Sequence, residues 1–404
     1  MSDRRARARL AHVSSALASS QYTSGSTHNF YLYPARFSPE IARAVIEAFS
    51  APGDWVLDPF MGGGTAIIEG LMLGRSMVGI DLNALACFVA DVRTRPLSGL
   101  DGAWLRWWAA TAAGLACGVP GGTPQVPNLP SAVRAFVAQA LMVADAIPLP
   151  RRRAFARCVL LRLGQWALDC RDQDAPSRRD MAHKLIHLTD QFLAGVRAFA
   201  DVCGASGVAK SAITARRVLL CRDAMGIEDE PRVTALPPPR LVFTSPPYAG
   251  VHVLYHRWQV CGRRETPAPY WIAGVPDGYY ASHYTGGSRT PTGERNYFGM
   301  IQSAFASVAR LMAPDGMVVQ LVGFANAATQ LPLYLDAMEA AGFEPCMPSV
   351  ASAAPLRRTV PNRKWYAKLQ GPVDASSELL LFHRLCAAQV RRVRTYRARA
   401  CGPR

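Results

Sequence analysis

The segment Trp55-Val56-Leu57-Asp58-Pro59-Phe60-Met61-Gly62-Gly63-Gly64-Thr65, continued by Ala66-Ile67-Ile68-Glu69-Gly70-Leu71-Met72-Leu73-Gly74, constrains the fold of this chain more than any other. An apolar run, a glycine cluster and a second apolar stretch read as a buried strand, a tight turn and a helix. The pattern is not the G-x-G-x-x-G of a dinucleotide fold. Its glycines let the backbone pass close to a ligand, and the helix that follows presents free N–H groups at its start. A further apolar run, Met77-Val78-Gly79-Ile80, ends in Asp81. A carboxylate at the tip of that strand is placed to accept hydrogen bonds from a ribose diol.

Leu241-Val242-Phe243 leads into Thr244-Ser245-Pro246-Pro247-Tyr248. Proline fixes φ and removes a backbone donor, so Pro246-Pro247 cannot continue as a paired central strand and forces a stiff exit from the sheet. The Ser245 hydroxyl and the Pro246 carbonyl can both accept hydrogen bonds from an exocyclic NH2, while Tyr248 offers a ring for stacking. That is equipment for holding a flat, amine-bearing ring in one plane. Taken alone, the same residues also read as a Pro-rich turn after a strand.

Together these segments resemble the S-adenosylmethionine-dependent DNA methyltransferases that modify exocyclic amino groups. Asp58-Pro59-Phe60-Met61-Gly62-Gly63-Gly64-Thr65 is similar to that family's cofactor motif, Gly79-Ile80-Asp81-Leu82-Asn83 to its ribose-binding acidic motif, and Thr244-Ser245-Pro246-Pro247-Tyr248 to its catalytic motif. His28-Asn29-Phe30-Tyr31-Leu32-Tyr33-Pro34-Ala35-Arg36-Phe37 resembles the segment that closes over the methionine end of the cofactor, and Leu219-Leu220-Cys221-Arg222-Asp223-Ala224 the strand whose Asp meets the adenine. The resemblance covers residues 28–95 and 216–384. It implies an α/β, Rossmann-like methyltransferase fold with a mostly parallel sheet flanked by helices, and S-adenosyl-L-methionine as cofactor. It further implies cofactor binding by Tyr33, Arg36, Phe37, Asp58, Pro59, Phe60, Gly62, Gly64, Thr65, Asp81, Leu82, Asp223 and Ala224, and catalysis by Ser245, Pro246, Pro247 and Tyr248. The chain departs from the family in the long stretch 97–215 between the ribose acid and the adenine-side Asp, which blurs its motif order.

The charge balance agrees with a polyanionic partner: the 404-residue chain carries a formal net charge of +16, as double-stranded DNA would require. Basic residues cluster in Arg4-Arg5-Ala6-Arg7-Ala8-Arg9 and in Arg391-Arg392-Val393-Arg394-Thr395-Tyr396-Arg397-Ala398-Arg399. These runs read either as phosphate contacts or as solvated tails. No run of about 18 uncharged apolar residues appears and the Arg-rich start lacks an apolar stretch after it, so the expectation is a soluble, cytoplasmic protein with no membrane partner. The ten cysteines include no C-x-x-C pair, so neither a metal site nor a disulfide framework is expected. The only Pro-Cys pair, Pro345-Cys346, follows Gly342-Phe343 in a helix-to-strand turn pattern and reads as packing. It does not read as the thiolate nucleophile that methylation at cytosine C5 needs.

Periodicity divides the chain. The expected parts are a basic arm (1–27), a catalytic domain (28–96 and 216–386), a helical insertion (97–215) and a basic tail (387–404). Helical patterns run over 39–50, 131–147, 150–168 and 178–203, and a parallel-sheet pattern resumes at 218–221, 241–243, 316–322 and 379–383. The insertion carries Arg151, Arg152, Arg153, Arg157, Arg162, Arg178 and Arg179; it reads either as a block that straddles the duplex or as a cap on the sheet. The loop-rich stretch 249–295 interleaves Tyr255, His256, Arg257, Trp258, Arg263 and Arg264, the composition of a groove-reading loop or of a surface loop packed by its own aromatics. The run 356–366 is similar. The expected DNA contacts are Tyr255, Arg257, Arg263, Arg264, Arg357, Arg358, Arg363 and Lys364.

Serine at the head of S-P-P-Y resembles the cytosine-N4 members of the family, whereas D-P-P-Y is commoner among adenine-N6 members. The reading is therefore a site-specific DNA methyltransferase acting on the N4 amine of cytosine after base flipping, with a cognate restriction endonuclease as a candidate partner. Adenine-N6 methylation is the near alternative. More distant ones are an RNA base methyltransferase and a non-catalytic DNA-binding subunit.

Overall fold

A computed structural model describes residues 3–19, 25–32, 38–115, 123–169, 174–249, 257–260, 264–277, 290–346, 356–359 and 377–400. Ten strands occur among these residues: β1 (Trp55–Asp58), β2 (Ser76–Asp81), β3 (Arg217–Cys221), β4 (Leu241–Thr244), β5 (Trp258–Val260), β6 (Arg264–Thr266), β7 (Met317–Val322), β8 (Phe343–Pro345), β9 (Leu356–Thr359) and β10 (Ser377–Leu385). Eight form one sheet in the order β3-β2-β1-β4-β7-β10-β8, with β9 paired to β10; β5 and β6 make a separate antiparallel ribbon. From β3 to β7 every neighbour is parallel.

The sequence reads β10 as one more parallel strand, and here the structure corrects it. Strand β10 runs antiparallel to β7, β8 and β9. Its apolar run Leu379 to Phe382 is covered on both faces, and a doubly buried strand shows the same continuous hydrophobicity whichever way it points.

The helices are α1 (Asp3–Ala18), α2 (Pro39–Phe49), α3 (Thr65–Met72), α4 (Ala84–Arg93), α5 (Gly99–Gly114), α6 (Ser131–Asp145), α7 (Pro150–Leu168), α8 (Arg178–Ala205), α9 (Pro231–Thr234), α10 (Ala268–Ala273), α11 (Pro291–Leu311), α12 (Ala327–Ala340) and α13 (Ala387–Ala400). Alternate residues of each strand point to opposite faces. Val56, Leu241, Phe243, Val319 and Leu380 pack with residues of α1, α2 and α3 on one side, while Leu57, Val242, Val318, Leu379 and Leu381 pack with α11 and α12 on the other. The basic run at the amino end is not a free arm: α1 buries Leu10, Val13 and Leu17 in the first layer. The carboxyl-terminal basic run likewise forms α13, which buries Val393 in the second.

Helices α5 to α8 enclose a third core around Trp108, Phe136, Phe155 and Phe192, shared with α4, β5 and α10. Several arginines in this block are engaged inside it. Arg151 and Arg152 both bind Asp101, the residue that closes the capping box of α5; Arg157 pairs with Asp145 and donates to the Ile272 carbonyl at 2.8 Å. Arg178 lies 5.4 Å from the Phe136 ring centre. No helix among the described residues is long and apolar enough to cross a membrane.

Candidate functional site

The strand order reverses direction between β1 and β4, and in a parallel α/β sheet the crevice at such a point, beyond the carboxyl ends of the strands, is where ligands bind. Strand β1 ends on Asp58 and β4 on Thr244. The Thr244 hydroxyl donates to Asp58 Oδ1 at 2.6 Å and the Phe60 amide donates to the same oxygen at 3.2 Å. The other oxygen, Oδ2, is buried and has no hydrogen-bond partner among the described residues. Burial pushes the Asp58 carboxyl up to about 7, the two hydrogen bonds oppose that shift, and the nearby Asp81 charge adds to it.

The glycine turn follows. Gly62 and Gly64 have φ of 50° and 80°, in the left-handed region, and Gly64 caps the start of α3. A Cβ on Gly64 would stand 2.9 Å from that of Ala90, so strain and contact both demand glycine there. Opposite the turn, Asp81 is half-buried; its Oδ2 accepts from the Gly62 amide at 2.9 Å and its Oδ1 from the Asn83 amide at 2.8 Å. Burial raises this carboxyl to about 6 against those two bonds. Leu82 beside it is 48% exposed at the rim. On β3's exit, Asp223 accepts from the Met225 amide at 2.8 Å, and Ala224 is buried.

The amino-terminal segment is held to this turn by a residue that carries no motif signal. Arg93, fully buried at the end of α4, donates to the carbonyls of Gly63 (2.5 Å), His28 (2.8 Å) and Tyr31 (2.5 Å). His28 in turn bonds Glu69 of α3 at 2.7 Å, and Leu32 exchanges two backbone bonds with the Gln165 side chain of α7. Phe30 stacks on Phe192 of α8 with ring centres 3.9 Å apart. Tyr33, Arg36 and Phe37, expected at the cofactor, lie outside the described residues.

After β4, Pro246 is buried and Ser245, Pro247 and Tyr248 are half-buried. The Tyr297 hydroxyl of α11 donates to the Pro247 carbonyl at 2.8 Å. Ser245 Oγ donates to the Tyr248 hydroxyl at 3.3 Å, and that hydroxyl donates to Glu378 Oε1 of β10 at 2.7 Å. Arg358 of β9 closes the chain on Glu378 Oε2 at 3.2 Å. Arg358, expected at DNA, thus sits behind the S-P-P-Y motif and is paired with Glu378, its side chain 13% exposed. Arg257 is likewise engaged, with Asp277 at 2.9 Å, and Trp258 is a core residue whose Nε1 donates to the Tyr31 hydroxyl at 3.1 Å. Arg264 and Arg357 are exposed; Tyr255, Arg263, Arg363 and Lys364 lie outside the described residues.

Two further features lie away from the crevice. Cys346 follows β8, the outermost strand, and burial lifts its thiol to about 11. A cavity of about 1040 Å³ lined by Pro239, Arg310 and Gly342 opens at the other end of the sheet, where those residues precede β4 or β8 or end α11. It does not meet the residues around Asp58.

Residues 12–90 match the family model described as DNA methylase, of the N6/N4 amino type. This segment is similar to the N6/N4 DNA methylases. It contains the glycine turn and the Asp81 strand described above. Among similar proteins, the type II methyltransferase M.MvaI of Kocuria varians is 35% identical over 74 residues, 18% of this chain and 16% of that protein. The type II methyltransferase M.MjaII of Methanocaldococcus jannaschii is 30% identical over 66 residues, 16% of this chain and 12% of that protein. For M.BsoBI of Geobacillus stearothermophilus the figures are 43% over 58 residues, 14% and 11%. The chain thus matches less than a fifth of the length of each of these relatives.

The cofactor of N6/N4 DNA methylases is S-adenosylmethionine, and the residues present fit it. A buried carboxylate oxygen on Asp58 without a partner among the described residues, left-handed glycines at a helix start, and Asp81 with Leu82 at the rim form a cradle with acceptors for polar groups and an apolar edge.

Proposed function

We propose that this protein is a DNA methyltransferase that transfers the methyl group of S-adenosylmethionine to the exocyclic N4 amine of cytosine in double-stranded DNA, after flipping the base from the helix. The observation that carries the proposal is the Thr244–Asp58 hydrogen bond of 2.6 Å, which ties the head of the S-P-P-Y motif to the glycine-turn strand at the switch point of the sheet. Asp58, Phe60, Gly62, Gly64, Asp81, Leu82, Asp223 and Ala224 would hold the cofactor, with Asp81 toward the ribose hydroxyls. Bound there, it supplies an electrophilic sulfonium methyl.

The chain's own task is to present the amine. Its nitrogen is a weak nucleophile because the lone pair is delocalised into the ring. Ser245 and the Pro246 carbonyl accept its hydrogens, favouring pyramidal nitrogen and the positive charge that develops on it. Tyr248 stacks on the extruded base, worth ~1–3 kcal/mol against the few kcal/mol that extrusion costs. Positioning of nitrogen against the methyl carbon supplies much of the rest. A cytoplasmic setting and a companion restriction endonuclease accord with the type II relatives and belong to this reading.

The test is methyl transfer from labelled S-adenosylmethionine to unmodified DNA, with mass spectrometry of the digested nucleosides. N4-methylcytosine is the expected product. N6-methyladenine alone would replace the base and keep the reaction class; 5-methylcytosine, or no transfer, would overturn the proposal.

A further inference from the structure

The hydrogen bonds that leave the S-P-P-Y motif end on residues that no motif contains. Glu378 and Arg358 face one another in the β9–β10 register, and Glu378, its side chain 7% exposed, receives the Tyr248 hydroxyl on one oxygen and Arg358 on the other. The ring reaches Glu378 by crossing the end of β7 at Gly323. A Cβ there would stand 2.8 Å from Tyr248 Cε2 and 2.9 Å from Cδ2, so the ring lies against bare backbone.

The directions of these bonds are forced. A carboxylate held by an arginine only accepts, so the single phenolic proton of Tyr248 is committed to Glu378. The phenolic oxygen can then only accept from Ser245, which commits the one proton of Ser245 as well. What Ser245 has left for the crevice is its lone pairs. An exocyclic amine brings only donors, and a serine free to rotate would spend part of its time pointing its own proton at them.

We propose that Glu378 is a positioning residue that acts through the Tyr248 hydroxyl to fix Ser245 as a hydrogen-bond acceptor for the target amine. This rests on the methyltransferase reading above. Arg358 serves the same end by holding Glu378 in place, and Gly323 provides the seat that lets the ring span the distance.

The experiment compares kcat and KM for DNA with the fluorescence of 2-aminopurine at the target position, which reports base extrusion without methyl transfer. Tyr248→Phe and Glu378→Ala are each expected to lower kcat about tenfold, with KM and the fluorescence within about twofold of wild type, and the double variant no worse than either single. Glu378→Gln, whose amide oxygen still accepts from the phenol, is expected to recover most of the rate. Tyr248→Phe keeps the ring and its packing, and so decides the matter even where Glu378→Ala fails to fold. An unchanged kcat in Tyr248→Phe, multiplying losses in the double variant, or Glu378→Gln as poor as Glu378→Ala would each overturn the inference while leaving the methyltransferase reading intact. A wild-type protein that transfers no methyl group would remove both.

Discussion

Thr244 and Asp58 stand on neighbouring parallel strands and share a hydrogen bond of 2.6 Å at the carboxyl ends of both. The bond joins the strand that leads into S-P-P-Y to the strand that leads into the glycine turn, and it engages one oxygen of a carboxylate whose other oxygen has no partner among the described residues.

That geometry makes stability depend on pH. Burial raises Asp58 from an ordinary value of 3.8 to about 7. Between those values the folded protein keeps a proton that the unfolded chain has released, so the contribution is fully present below about 3.8 and is lost as pH rises through about 7. Asp58→Asn cannot ionise. The thermal midpoint of the wild type should therefore fall relative to the variant from pH 5 to pH 8, by the equivalent of a few kcal/mol at most. Thr244→Val, which removes an opposing hydrogen bond, should move the wild-type transition to higher pH. Parallel melting curves for wild type and Asp58→Asn across that range would show that Asp58 is not the titrating group.

A second expectation concerns Arg93, which satisfies the carbonyls of Gly63, His28 and Tyr31 from a fully buried position. Arg93→Leu leaves those acceptors without their donor and should cost at least about 3 kcal/mol in urea denaturation. Binding of S-adenosylmethionine by calorimetry should weaken with it, because the glycine turn loses its anchor. A loss below about 1 kcal/mol would mean that water or neighbouring groups replace the guanidinium.

DNA binding should separate the arginines by their present engagements. Affinity for non-specific DNA is expected to fall with salt, and Arg264→Ala and Arg357→Ala, at exposed positions, should each reduce the log–log slope by about one. Arg257→Ala, where the side chain is paired with Asp277, should leave the slope unchanged. Equal effects from all three would place Arg257 at a phosphate and break its pairing as the explanation.

Much of the frame was legible in the residues. The helical patterns at 131–147, 150–168 and 178–203 correspond to α6, α7 and α8 within two residues at each end, because apolar residues at helical spacing and a start signal such as Pro150 are local properties. The strand, glycine turn and helix from Trp55 onward were legible for the same reason. What stayed hidden depends on partners distant in sequence. The direction of β10 is set by its neighbours, Arg93 acts on backbone carbonyls that any sequence possesses, and Glu378 meets a tyrosine 130 positions away. Trp258 and Arg358 lie in stretches that read either as DNA contacts or as packed surface segments, because aromatic and basic residues there look alike in both settings; their Tyr31 and Glu378 partners lie outside those stretches.

The place of β10 in the sheet bears on synthesis. Although it is translated after β8, it lies between β7 and β8, so β8 has no place in the sheet until residues up to Leu385 have left the ribosome. A nascent chain stopped short of Ser377 would already contain the glycine turn, Asp81 and S-P-P-Y, yet would lack Glu378 and carry β7 as an open edge. Truncation before β10 would thus remove in one cut the Glu378 contact of the S-P-P-Y motif and the antiparallel partner of β7.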